Sequence, residues 1–333
     1  MGVIIMRKKI FITLILMLIM LLMVSTVVIA EETIQLKYGH DGSLTHQYQI
    51  AATYFKKLVE DKTNGRIEII IFPQGQLGHE RELAEGLIMG TVDICTVAAG
   101  ALPSWVPSFS VWGVPFLIRD RQHAYNVCDG EVGEQWKEEF LNQGMKVMGY
   151  GDIGLRNFTN NVRPIKTLED MKGLKFRVQE SKIWLVTMKA LNATGVPIPF
   201  GELYTALQQG VVDGQENPLA TIRSMKFYEV QKYCTITKHT FEPYCYLINP
   251  KKFNSLSSED QRIIQEAFKA TEKYERDIQI ENYNNNLQYL KDQGMQVTED
   301  VDIPAFIEAT KDVPQAVSDI VPPELVEKIR NTK

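Results

Sequence analysis

Four cysteines and five histidines are few for a chain of 333 residues, and they are poorly placed for chemistry. Cys95, Cys128, Cys234 and Cys245 match no zinc-ligand spacing, and His40, His46, His79, His123 and His239 are scattered. Ser43, Ser104 and Ser181 lack the context of a nucleophile elbow. No glycine-rich phosphate loop follows a strand pattern. Gly75-Gln-Leu-Gly78 comes after Pro73 and has no lysine, so it reads as a turn with Glu80 opening a helix. Positive charge is not in surplus either: the formal net charge is −5, which argues against a nucleic-acid partner. There is no glycine-serine tether, and after the first thirty residues no apolar run is long enough to span a bilayer. Neither a catalytic centre nor a cofactor or metal site is expected.

What is present begins with an export signal. Arg7, Lys8 and Lys9 precede an apolar stretch over residues 10–29, broken only by Thr13, Ser25 and Thr26. Val28-Ile-Ala30 then offers small residues ahead of Glu31 and Glu32, so cleavage is expected near Ala30. An uncleaved anchor is the alternative. Losing three basic residues and no acidic ones takes the net charge from −5 to −8. Export permits disulfides. Cys95, inside the apolar run 92–98, reads as a buried thiol, and a bridge between Cys234 and Cys245 is left open.

Strand and helix patterns then alternate. Strands are expected at 34–39, 66–72, 92–98 and 174–178, and helices at 46–62 and 80–89. Such βαβ alternation favours parallel pairing with helices on the faces. The unit recurs: Glu82-Leu-Ala-Glu-Gly-Leu-Ile-Met-Gly-Thr-Val-Asp93 aligns with Glu202-Leu-Tyr-Thr-Ala-Leu-Gln-Gln-Gly-Val-Val-Asp213. Two similar α/β domains facing one another are the preferred reading. A long polar helix is expected over 257–294, with Ser258 and Gln261 at capping-box spacing and Gly294 as its stop. At 1.5 Å per residue it would reach up to about 55 Å, longer than one domain. The aromatic cluster Trp105, Phe109, Trp112 and Phe116 is expected to pack in a core or to wall a cleft.

Two arginines stand out. Arg177 lies inside the strand pattern 174–178, and Arg156 precedes Asn157-Phe-Thr-Asn160. An arginine in a core strand must find an anion, because burying it alone is costly. An internal carboxylate or an anionic ligand would each serve, and the planar guanidinium fork suits a ligand carboxylate. Asn217 sits just before Pro218. His40 and Asp41 end the first strand, where ligands of open α/β sheets bind.

Several segments together carry a family resemblance. They are Phe72-Pro73 with Gln76-Leu-Gly78, Gly113-Val-Pro-Phe116, Arg156-Asn-Phe-Thr-Asn160, Met171-Lys-Gly-Leu-Lys-Phe-Arg-Val178, Phe200-Gly-Glu-Leu-Tyr204, Gly210-Val-Val-Asp-Gly-Gln-Glu-Asn-Pro218 and Lys226-Phe-Tyr-Glu-Val230. With them the chain resembles the solute-binding proteins of tripartite ATP-independent periplasmic (TRAP) transporters, of the DctP type. The resemblance implies an α/β two-domain clamshell with a long helix spanning both domains. It implies a main bidentate contact from Arg177 to a ligand carboxylate, a second contact from Arg156, a fixing role for Asn217 and ligand packing by Phe200. Sialic-acid binders of the family carry a glutamate that would align at Ala98, so the alanine here argues against that ligand.

The expected organisation is a signal peptide over 1–30, a first α/β domain from 31–152 plus 243–282, and a second from 153–242 plus 283–333. The expected function is periplasmic capture of a small organic acid, such as a C4-dicarboxylate or a uronate or other sugar acid. The acid would pass to TRAP permease membrane subunits, with the binding protein a monomer and not an enzyme. Ligand-sensing for a sensor kinase is the alternative. A periplasmic enzyme acting on sugar acids is a third reading, and it lacks a positioned acid–base pair.

Overall fold

The repeated segment folds the same way twice in the computed structural model, which describes residues 1–23 and 33–333. Helix Glu80–Met89 closes at Gly90 and helix Leu203–Gln208 at Gly210, with φ of 81° and 68° at the two glycines. That left-handed conformation strains any residue with a Cβ. The aspartate that follows makes the same clamp in each copy. Asp93 accepts from the amide of Lys37 at 2.8 Å, and Asp213 accepts from the amide of Lys175 at 2.8 Å. In each copy the aspartate's own amide returns a bond to the same lysine's carbonyl.

Around these two units run ten strands: β1 (Ile34–Gly39), β2 (Ile67–Phe72), β3 (Ile94–Ala98), β4 (Lys146–Asn160), β5 (Lys175–Val178), β6 (Thr194–Pro197), β7 (Gly214–Pro218), β8 (Tyr233–Thr235), β9 (Phe241–Ile248) and β10 (Gln296–Thr298). Their order is β2-β1-β3-β9-β4-β7-β5-β6, with β8 also on β4 and β10 on β8. Pairing is parallel where βαβ units predict it, at β1/β3, β5/β6 and β5/β7. It is antiparallel wherever the returning strands β4 and β9 enter. The sheet is therefore mixed, a feature the alternation alone did not contain.

β4 makes one architecture out of two lobes. Its residues Lys146 to Leu155 pair with β9, and Arg156 to Asn160 pair with β7. The register against β9 shifts between Asp152 and Gly154, and Gly154 has φ of 124°. A bulge of this kind bends and twists its strand, here just before the strand changes lobes. Helix Ser258–Asp292 packs on helix Gln47–Lys62, on β4 and on helix Leu219–Ser224, so it touches elements of both lobes. Its N-cap is Ser257, one residue earlier than the sequence spacing suggests, and the hydroxyl accepts from Asp260 N at 3.1 Å. Gly294, with φ of 91°, follows its last turn.

Phe109 and Trp112 lie in the main core, packed edge-on with Trp136 and Phe140 nearby. All four cysteines are buried and unpaired. A Cys234–Cys245 bridge is excluded by register, since the two face Thr159 and Tyr150 of the same strand β4. Nine residues of strand separate them, about 30 Å at 3.3 Å per residue, and a disulfide needs Cα atoms about 6 Å apart.

Met1–Ile34 forms a unit separate from Gln35–Lys333. It carries helix Gly2–Met23, and the expected cleavage site at Val28-Ile-Ala30 lies outside the described residues. Among the described residues no helix is long and apolar enough to cross a membrane.

Candidate functional site

Four strand ends converge where β4 changes lobes, and they bring two arginines to one cleft in very different states. Arg156 faces Pro218 across the β4/β7 ladder and is buried. Its Nε and one amino group hold the carboxylate of Glu216, the same amino group donates to the Glu216 carbonyl at 2.5 Å, and the other amino group reaches Glu242. Glu216 is held ionised: burial opposes its charge, but Arg156 and the nearby His239, whose Nε2 stands 3.4 Å away, outweigh burial and lower its pKa. Glu242 is held further by the amide of Gly100 at 3.0 Å and by Gln179 Nε2 at 2.5 Å. A Cβ at Gly100 would stand 2.1 Å from the Gln179 amide oxygen, so a larger residue there would push that side chain off Glu242. Arg156 is thus largely committed to internal carboxylates.

Arg177 is the opposite case. It sits on β5 between Val196 and Gln215 and is 2 % exposed. Nε donates to Ile198 O at 2.8 Å, and the guanidinium stands 5.9 Å from the ring centre of Phe200. Among the described residues its two amino groups have no hydrogen-bond or ion-pair partner. Burial and then the charge of Arg156 lower its pKa to about 10, while Glu216, Glu80 and Asp41 pull the other way. It remains a cation at neutral pH.

The space these arginines face has two parts. One is lined by Arg156, Asn217, Phe200, Ala98, Glu80 and Gln179 among others. The other, which is larger, is lined by Arg177, Phe200, Glu80, Gln179, Glu180 and the rim residue Arg81 among others. Of the residues singled out from sequence, Arg177, Arg156, Asn217 and Phe200 therefore stand on one cleft. Asn217 is oriented by the hydrogen bond its Nδ2 donates to Gln215 Oε1 at 2.5 Å.

His40 and Asp41 are not among the lining residues. His40 is buried, bonds Gln49 Oε1 at 3.1 Å through Nε2 and packs edge-on against Tyr48. Asp41 lies behind the wall, 3.9 Å from His79 Nδ1, and burial and then Glu80 raise its pKa. Glu80, Gln179, Glu242 and His46 line the cleft but carry no motif signal of their own. Among the described residues no group of three or more His, Cys, Asp or Glu is arranged to hold a metal ion.

The buried histidines give a pH signature. Burial lowers the pKa of His40 to about 4 and of His46 to about 3. Both values lie below the unfolded value near 6.5, so the unfolded chain binds more protons as pH falls from 6.5 toward 4. Each ring then subtracts about 1.4 kcal/mol of stability per pH unit across that window. The imidazole NMR signals of both residues are expected to stay at their neutral-form positions from pH 8 to pH 5. A midpoint near 6.5 at either ring would show it solvated instead.

Comparison with known proteins shows the family of the chain. The family described as bacterial extracellular solute-binding protein, family 7 (DctP) matches residues 38–319. The 2,3-diketo-L-gulonate-binding periplasmic protein YiaO of Escherichia coli K12 is 34% identical over 289 residues, covering 84% of this chain and 88% of that one. A TRAP periplasmic solute-binding protein from Polaromonas sp. JS666, solved with D-erythronate, superposes with a TM-score of 0.87 at 33% identity, covering 90% of this chain and 99% of that one. The sugar-acid-binding protein DctPAm of Advenella mimigardefordensis DPN7T, solved with galactonate, gives a TM-score of 0.88 at 30% identity, covering 90% and 98%.

Proposed function

Because the chain belongs to bacterial extracellular solute-binding protein family 7, we propose that it is the extracytoplasmic binding subunit of a TRAP transporter, capturing a small organic acid and delivering it to the membrane permease. The observation that carries the reading is Arg177, a buried cation whose two amino groups await an anion. Burial without a partner is expensive, so such a group is retained where a ligand completes it. The planar fork matches a carboxylate with two parallel bonds, and water exclusion strengthens both. Asn217 supplies an amide beside the carboxylate and Phe200 a ring face. No observation favours delivery to a sensor kinase.

The lobes divide, in this proposal, at 31–152 plus 243–282 and 153–242 plus 283–333, with β4 and β9 as the connection. They already touch: Ser43 Oγ donates to Ser224 O at 2.9 Å and Gln47 Nε2 to Thr221 Oγ1 at 3.2 Å. Ligand would settle on Arg177 of the second lobe and favour this closed form over an open one. The protein acts in the periplasm after cleavage near Ala30, as a monomer, and returns its ligand unchanged.

A thermal-shift screen of organic acids tests this. A true ligand at 1,000 times its Kd should add about 4 kcal/mol of stability. Scattering with that ligand should give a smaller radius of gyration than without it, and NMR should find the acid chemically intact after hours. Turnover of the acid, or saturation with an unchanged scattering profile, would remove the transport-binder or the clamshell part respectively.

A further inference from the structure

The acidic residues around Arg177 are more informative about the ligand than the arginine itself. Glu80 opens helix Glu80–Met89 and lines both voids of the cleft. Its Oε1 is fixed by two donors of the first lobe, Ala98 N at 2.8 Å and Tyr48 Oη at 3.2 Å. Among the described residues its Oε2 accepts no hydrogen bond. A carboxylate pinned through one oxygen and idle through the other is a pre-set acceptor, and its orientation costs a ligand nothing.

The charge inventory of the cleft is lopsided. Arg156 is spent on Glu216 and Glu242, and Arg81 at the rim is engaged by Glu85 at 3.1 Å. That leaves Arg177, among the described residues, as the lining cation without a carboxylate. Glu80, Glu180 and Glu242 line the same space. There is thus accommodation for one ligand carboxylate. A second would meet glutamates and no cation.

The remaining polar groups are neutral and mixed in character. Gln179 keeps a buried amide oxygen without a partner, His46 keeps Nε2 without a partner, and Asn217 Nδ2 has one bond to Gln215 for its two hydrogens. A hydroxyl, which both donates and accepts, fits such a mixed set. An ammonium, which only donates, fits it less well. Burial raises the proton affinity of Glu80, and a hydroxyl pairs with Oε2 whether or not that oxygen carries a proton.

We propose that the ligand is a hydroxylated monocarboxylate, an aldonate- or uronate-like acid, with its carboxylate on Arg177 and a chain hydroxyl on Glu80 Oε2, and that the cleft rejects dicarboxylates. This rests on the carboxylate-capture reading above and narrows it. Glu80 is then a specificity-determining residue.

The test is calorimetry at pH 8 with hydroxylated monoacids of four to six carbons (erythronate, threonate, gluconate, galacturonate), and with butyrate, succinate and threonine as counter-probes. At least one hydroxylated monoacid should bind, with succinate and butyrate weaker by on the order of 100-fold or more, because like charges face the former and the latter leaves the polar groups unpaired. Glu80→Gln keeps an oxygen for Ala98 N and Tyr48 but turns Oε2 into a donor. It should weaken the hydroxylated acid by about tenfold or more relative to butyrate, which has no hydroxyl for that oxygen. Succinate or threonine binding as tightly as the best hydroxylated acid overturns the proposal and leaves carboxylate capture standing. Equal weakening of butyrate and hydroxylated acid in Glu80→Gln also overturns it. If no acid of the panel binds, both readings fall. The wild-type panel decides the ligand class even if the variant proves unstable.

Discussion

Replacing Arg177 by lysine is expected to cost about 2–5 kcal/mol of ligand affinity, the range for disrupting one side of a buried charge pair, while the unfolding transition of the ligand-free protein stays where it was. Lysine keeps the charge and loses the two-pronged geometry. Stability should hold because, among the described residues, Arg177 makes a single hydrogen bond to the fold, from Nε to Ile198 O. Arg177→Met is expected to be neutral or stabilising in the ligand-free state, since it removes an uncompensated buried cation. Binding sites often carry such a stability deficit. Calorimetry with the identified acid and urea unfolding of both variants measure the two effects separately. Near-normal affinity in Arg177→Lys would make this arginine structural.

Arg156→Leu should show the reverse balance. It strands Glu216 and Glu242, both buried, without their counter-charge. Breaking a buried ion pair by removing one partner costs about 3–5 kcal/mol, because the remaining charge is left unpaired. Urea unfolding should show that loss before any ligand is added. The triple variant Arg156→Leu, Glu216→Gln, Glu242→Gln should recover most of it, since the stranded charges are then gone. A loss below about 1 kcal/mol in Arg156→Leu would mean that the network contributes little and that Arg156 is held for the ligand after all.

The two arginines also mark the limit of what the sequence discloses. Both sit in strand patterns, and both belong to segments that resemble the same family. Only the fold tells them apart, because the partners of Arg156 are 60 and 86 positions away in the chain. By contrast, local signals translated well. The repeated segment became two similar aspartate clamps and two left-handed glycine stops, since the glycine and the aspartate are written in the segment itself, although the lysines they clamp stand 56 and 38 positions back. The long helix ended at its glycine, while its cap moved by one serine because two adjacent serines present the same spacing. Glu80 went unnoticed for a related reason: a glutamate opening a helix already has a local explanation in the helix dipole. Its second use depends on Ala98 and Tyr48, which only the folded sheet brings near. His40 and Asp41 were placed correctly at a strand end, yet neighbouring side chains cover them.

The four unpaired cysteines have a consequence for life outside the reducing cytoplasm. Burial raises the pKa of every one of these thiols, that of Cys234 to about 12. At neutral pH almost none is a thiolate, the form that attacks disulfides and is oxidised, and none reaches solvent. The fold therefore depends on no disulfide. The folded chain should be indifferent to the redox potential around it, keeping the same unfolding midpoint with or without dithiothreitol. Its vulnerable moment is the unfolded state, when those sulfurs are briefly open to one another.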